Sequence, residues 1–145
     1  MNDPELRLDW LDNDQELLAC FPLMRELRPH LDDPQSFVRQ LARQAGQGYR
    51  LLAGRQDGEV LGLAGCRLQE NLIYGRFLYV DDLVTRADRR GGGIGERLLE
   101  TAREEARRLG CARLVLDTGL GNALAQRFYF RQGLLATGLH FGQSL

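Results

Sequence analysis

The sequence predicts an α/β (α+β) protein: one domain over residues 1–145, in which helices flank a central mixed, mostly antiparallel sheet. Three observations predict it. Two apolar runs meet around Asp57-Gly58, a dipeptide that favours the two-residue turn of a β-hairpin. From Ile94 the apolar spacing becomes three or four residues, the period of an amphipathic helix. Strand-like runs stand on both sides of that helix, "GRFLYVDDLVT" before it and "ARLVLDTG" after it, which makes it a crossover within one sheet.

The elements follow in order. "LRLDWL" alternates as a first strand, and Asp12 to Asp14 offer caps for a helix from about Gln15 to Arg28. Pro29 and His30 break that helix, Pro34 fits the first turn of a second, and "SFVRQLARQA" carries it to Gly46. The hairpin and the long strand "GRFLYVDDLVT" come next. In the crossover helix Ile94, Leu98, Ala102, Ala106 and Leu109 make the core face, charged residues fill much of the rest, and Gly110 ends it. "NALAQRFYFRQG" reads as a short helix stopped by Gly133, and "LLATGLHF" as a last strand.

Composition excludes some functions. A formal net charge of -1 argues against nucleic acid or an anionic membrane as partner, since both call for a basic excess. Cys20, Cys66 and Cys111 are odd in number and widely spaced, so they suit neither a disulfide framework nor a metal knuckle. His30 and His140 lie far apart without a clustered acid or cysteine, and no metal is expected. "MNDPELRLDW" lacks the basic and apolar regions of an export signal, which leads to a cytoplasmic expectation.

The chemistry concentrates in "RRGGGIG", residues 89–95, between a strand and a helix. Glycines there uncover amide N–H groups, and the first turn of a helix has donors without intrahelical acceptors, which together make a phosphate seat. A glycine-rich surface turn is the plain alternative. Two familiar phosphate loops fail. No lysine followed by a hydroxyl residue succeeds Gly95, as a P-loop needs, and Glu96 or Leu98 stands where a dinucleotide fingerprint wants its third glycine.

What remains, Arg90-Gly91-Gly92-Gly93-Ile94-Gly95 opening a helix, resembles the acetyl-CoA pyrophosphate loop of the GCN5-related N-acetyltransferase superfamily. "NALAQRFYFRQGL" is similar to the second cofactor-side motif of that superfamily, with Asn122, Ala125, Phe128, Tyr129 and Gly133 in the usual relation. The two motifs cover about Phe77 to Leu134 and occur in the family's order. The resemblance implies an acetyl-CoA-dependent N-acetyltransferase that transfers acetyl to a primary amine of a small molecule or peptide by direct attack in a ternary complex. A non-catalytic CoA-binding sensor or assembly module is the alternative from another class.

The resemblance also assigns residues. The backbone of Leu83, Val84 and Thr85 would run beside the pantetheine arm, and Gly91, Gly93, Ile94 and Gly95 would hold the pyrophosphate with Arg90 in the family's arginine or glutamine position. Asn122 caps its helix and is also placed for a contact to the cofactor arm. Tyr129 is the candidate acid for the departing thiolate, against the reading that Phe128, Tyr129 and Phe130 are a packing triplet. Strand alternation puts Asp81 and Asp82 on opposite faces, so that one reaches the cleft, Asp81 as candidate base and Asp82 as an alternative amine ligand. These acids favour a cationic acceptor, while Arg25, Arg28, Arg39 and Arg43 on the first two helices admit a substrate with its own carboxylate. Glu70 and Asn71 are further acceptor-side candidates, and a homodimer through the last strand is a family-level expectation.

Overall fold

Side-chain caps set the first two helices. The computed structural model describes residues 5–145. Asn13, extended at φ -125° and ψ 151°, accepts the Glu16 N–H at 2.9 Å and opens α1 (Asp14–Leu27). Asp33 accepts the Ser36 N–H at 2.8 Å and opens α2 (Pro34–Ala45), where Pro34 stands in the first turn and sacrifices no helical donor. Pro22 lies inside α1 and removes one internal hydrogen bond there.

Five strands follow one another across the sheet in chain order: β1 (Arg7–Leu11), β2 (Tyr49–Gln56), β3 (Glu59–Asn71), β4 (Gly75–Thr85) and β5 (Arg113–Leu116). The first three pairings are antiparallel. β5 follows the crossover helix α3 (Ile94–Arg108) and makes the sheet mixed. The β2–β3 turn is the one expected: Asp57 and Gly58 both have positive φ, 52° and 78°, between paired Gln56 and Glu59.

Two layers of helix cover the sheet. Phe21 and Met24 of α1 and Phe37 and Leu41 of α2 join Tyr49, Leu51, Ala53, Leu63 and Val84 in one core. On the other face α3 sits so close that a side chain on Gly62 would come within 2.7 Å of Ile94 and 2.8 Å of Leu98. Glu105 of α3 is buried but bonded to Arg50 of β2 at 2.8 Å and to Arg108, which together hold its carboxyl down at about 2. Arg50 also lies 4.6 Å over the Trp10 ring, so one guanidinium joins β1, β2 and α3.

One irregularity in β4 changes the sequence expectation. Gly65 pairs with Asp82, but its neighbour Cys66 pairs with Val80, leaving Asp81 as an extra residue. The bulge interrupts alternation, so Asp81 and Asp82 do not lie on opposite faces.

The chain divides into two compact units, the first running to Val115 and the second being Leu116–Leu145. The second unit contains α4 (Ala123–Arg131), capped by Asn122, whose side-chain oxygen accepts the Ala125 N–H at 3.2 Å. Gln126 clamps the preceding turn through the Gly119 and Leu120 carbonyls. Gly133, at φ 86°, ends the helix in the left-handed region, as expected of a C-terminal glycine. The expected strand over "LLATGLHF" is not formed: residues 134–145 hold no regular element, and Leu135, Leu139 and Phe141 are exposed. Apolar residues alone do not make a strand, which also needs a neighbour for its backbone groups, and the segment has none among the described residues.

Candidate active site

The loop between β4 and α3 is held from its first residues. Arg86 grips Asp88 through two hydrogen bonds, at 2.7 and 2.8 Å, and reaches Glu59 at 3.1 Å, while Arg89 donates to Gln56 at 2.7 Å. Arg89, without a motif role in the sequence, thus ties the loop to the end of β2. Arg90 makes no hydrogen bond or ion pair among the described residues and stands exposed.

Gly91 and Gly93 both have φ 83°, which a side chain would strain, and no atom lies within 4 Å of where that side chain would begin. Their need is conformational, and the space in front of them is open. Gly93 is the N-cap of α3, and the first bond to it runs from the Arg97 N–H to the Gly93 carbonyl at 3.1 Å. The amides of Ile94, Gly95 and Glu96 therefore lack helical acceptors and aim their N–H groups out of the helix start. The side chain of Ile94 is buried and fixes that start on the sheet, so its contribution to an anion seat is its amide. Fixed donors, an open approach, a helix dipole and an unpaired arginine fit a pyrophosphate group.

β4 carries this seat back toward a pocket. Leu83, Val84 and Thr85 pair with Ala64, Leu63 and Gly62 of β3. On the other side β5 starts beside Arg76, whose carbonyl accepts the Ala112 N–H at 2.9 Å, and its four residues reach only along the first half of β4 at the rise of a strand. The backbone edge of residues 83–85 extends past that reach.

Just upstream, α1, α2, β2 and β4 line an open pocket of about 320 Å³. Met24, Leu31, Phe37 and Leu41 form the apolar part of its lining, and Asp81 and Asp82 enter it together because of the bulge. Neither acid is bare. Arg67 donates to both oxygens of Asp81, at 2.7 and 2.9 Å. Arg28 donates through Nε to Asp82 Oδ1 at 2.9 Å and through Nη2 to the Asp81 carbonyl at 2.8 Å, and Tyr49 Oη donates to Asp82 Oδ2 at 2.8 Å. Burial first, and the Asp82 charge second, push the Tyr49 phenol far above its ordinary value, so it remains a donor.

Sequence reasoning missed Tyr49, Arg67 and Gly65 in this arrangement. The signal was Gly65, an isolated glycine in an apolar strand. Any side chain there would overlap the Tyr49 hydroxyl, so the glycine makes the room in which Tyr49 meets Asp82. Glu70 and Asn71 do not line this pocket; Asn71 Oδ1 accepts the Ile73 and Tyr74 amides at 3.0 and 2.7 Å and builds the β3–β4 turn.

In the second unit, Tyr129 lies on α4 in edge contact with Phe128, ring centroids 5.6 Å apart. Its hydroxyl makes no hydrogen bond among the described residues, and burial pushes its pKa up, keeping the phenol protonated at neutral pH. His140 approaches Asp117 at 3.4 Å in the same unit and is largely exposed. The thiols are poor nucleophiles: burial pushes Cys20 and Cys66 up to about 12, and Cys111 is also raised by burial.

Known proteins resemble this chain in sequence and in fold. Residues 10–134 match the model of the Acetyltransferase (GNAT) family. The chain is 32% identical over 124 residues to the uncharacterized N-acetyltransferase YhdJ of Bacillus subtilis (strain 168), covering 86% of this chain and 87% of that protein. It is 34% identical over 98 residues to the aminoalkylphosphonate N-acetyltransferase of Salmonella typhimurium (strain LT2), covering 67% and 62% respectively. The solved aminoglycoside N-acetyltransferase AAC(6')-Iy in complex with CoA has the same fold, with TM-score 0.89, 13% identity and coverage of 99% and 97%. The chain belongs to the Acetyltransferase (GNAT) family and is an acyl-CoA-dependent acyltransferase.

Proposed function

We propose that this protein transfers the acetyl group of acetyl-CoA to the primary amine of a small molecule by direct attack within a ternary complex. The observation that carries this reading is the continuity along β4: two acids in a pocket, then a backbone edge beyond the reach of β5, then a cradle of free amides opening α3. The names of the relatives, an aminoalkylphosphonate and an aminoglycoside N-acetyltransferase, support an amine of small-molecule size.

Acetyl-CoA, when bound, supplies an acetyl thioester. The amides of Gly91, Gly93, Ile94 and Gly95 would hold its pyrophosphate and Arg90 would add a flexible charge. Residues 83–85 offer backbone groups to the pantetheine arm, and Asn122 offers its side-chain amide, its oxygen being used by the cap. Asp81 and Asp82 accept the proton that the acceptor ammonium must lose, directly or through water, using the lone pairs that Arg67, Arg28 and Tyr49 leave free. Tyr129 would donate its phenolic proton to the sulfur as the carbon–sulfur bond breaks and the carbon–nitrogen bond forms, and the second proton leaving the acetylated nitrogen would restore the phenol. Cys66, buried and protonated, has no part in covalent transfer.

A thiol-release assay with acetyl-CoA against a library of small amines tests the reading. Amine-dependent release of free CoA, with an N-acetylated product of matching mass, is expected. Tight acetyl-CoA binding without transfer to any amine would favour the sensor alternative.

A further inference from the structure

We propose that Arg28 is a specificity-determining residue, and that it selects a monoamine with an apolar body over a polycationic acceptor. The inference rests on the amine pocket just described and names the substrate class it takes. Two acids in a pocket normally attract cations, and multiply charged ones most strongly. Here that attraction is cancelled in place. Arg67 occupies both oxygens of Asp81, and Arg28 bridges the Asp82 carboxylate and the Asp81 carbonyl, so two carboxylates meet two guanidiniums within one cluster. His30 and Tyr49, which complete the polar lining on this side, bring no further carboxylate to the pocket.

The two arginines are not equivalent. Arg67 is fixed by two bonds to Asp81 and lies 5.3 Å over the Tyr79 ring, and it does not line the pocket. Arg28 does line it, stands at the C-terminal end of α1 and leaves 42% of its side chain exposed. It is the charge that an entering cation meets. A polyamine would have to displace Arg28 from Asp82 or sit beside its positive charge, and either penalises each additional ammonium.

The apolar part of the lining suits an alkyl chain. Met24, Phe37 and Leu41 are almost fully buried and Leu31 flanks them. Gln40 and Gln44, the polar residues on the α2 side, spend one bond on each other at 3.0 Å. A volume of about 320 Å³ suits a short aliphatic or aromatic amine. One ammonium can still reach the unused lone pairs of Asp82.

The experiment compares n-hexylamine with spermidine, by calorimetric binding to the CoA-loaded protein and by acetyl transfer, for the native chain, R28Q and R28K. The native protein is expected to bind hexylamine at least ten-fold more tightly than spermidine. R28Q should raise spermidine affinity relative to hexylamine at least ten-fold, and R28K, which keeps the charge, should return the ratio toward native. Equal or tighter native binding of spermidine, an unchanged ratio in R28Q, or binding of neither amine overturns the inference. Discrimination in binding with no transfer to either amine would overturn the transferase reading alone; transfer without discrimination would overturn this inference alone.

Discussion

Tyr129 and Tyr49 place the same side chain in different surroundings, and the role proposed for Tyr129 rests on that difference. Tyr49 is buried and its hydroxyl is committed to Asp82, so it positions a carboxylate and has no proton to spare. Tyr129 is partly buried with an uncommitted hydroxyl, so its proton is available. Replacing Tyr129 by Phe removes only the oxygen. Turnover should fall by about 10²-fold or more, the usual scale of a positioned acid, while acetyl-CoA affinity measured by calorimetry stays within about two-fold. The alkaline limb gives a second test: in the proposed role the neutral phenol is the active form and burial raises its pKa, so the activity should persist through the ordinary tyrosine range and decline only above it. Unchanged turnover in the Phe variant would return Tyr129 to the packing triplet.

Among elements, α3 is fixed to the sheet by contacts of different kinds at its two ends. Near its start, Ile94 and Leu98 press on Gly62; near its end, Glu105 is clasped by Arg50 and Arg108. The amide cradle at its N-terminus depends on both. Glu105 has a folded pKa of about 2, below its ordinary value, so its pairing stabilises the protein above the unfolded carboxylate range and that contribution is lost as pH falls from about 4.5 toward 2. Glu105→Gln should therefore lower Tm at pH 7, and the gap from the native chain should narrow steadily below about pH 4.5. Thermal melts of both proteins across pH 2 to 7 measure it; a gap independent of pH would mean that packing, not charge, holds this end.

Over the whole molecule, the elements that announce themselves locally are those the sequence disclosed. Asn13 and Asp33 cap, Asp57-Gly58 turns and Gly110 stops, each through its own side chain or backbone freedom, and the corresponding elements lie within a residue or two of their expected bounds. The glycine loop was legible for the same reason. What escaped was settled by partners distant in sequence. "LLATGLHF" reads as a strand but has no pairing partner among the described residues, and Arg67 and Tyr49 joined the acid cluster only through strand pairing and a bulge. That bulge has an arithmetical consequence for the sheet as a whole. On either side of Asp81 the ladder already runs without a gap, since Val80 faces Cys66 and Asp82 faces Gly65, its sequence neighbour. Asp81 is thus a surplus residue in the count: removing it joins two segments that are both in step, whereas removing Leu78 would throw every residue on one side of the cut to the wrong face. A chain lacking residue 81 should unfold cooperatively within about 5 °C of the native Tm, and one lacking residue 78 should lose its cooperative transition in the same calorimetric scan. The fold would then be indifferent to the very residue that gives its pocket a second acid, which makes the length of β4 a property of the chemistry and not of the sheet.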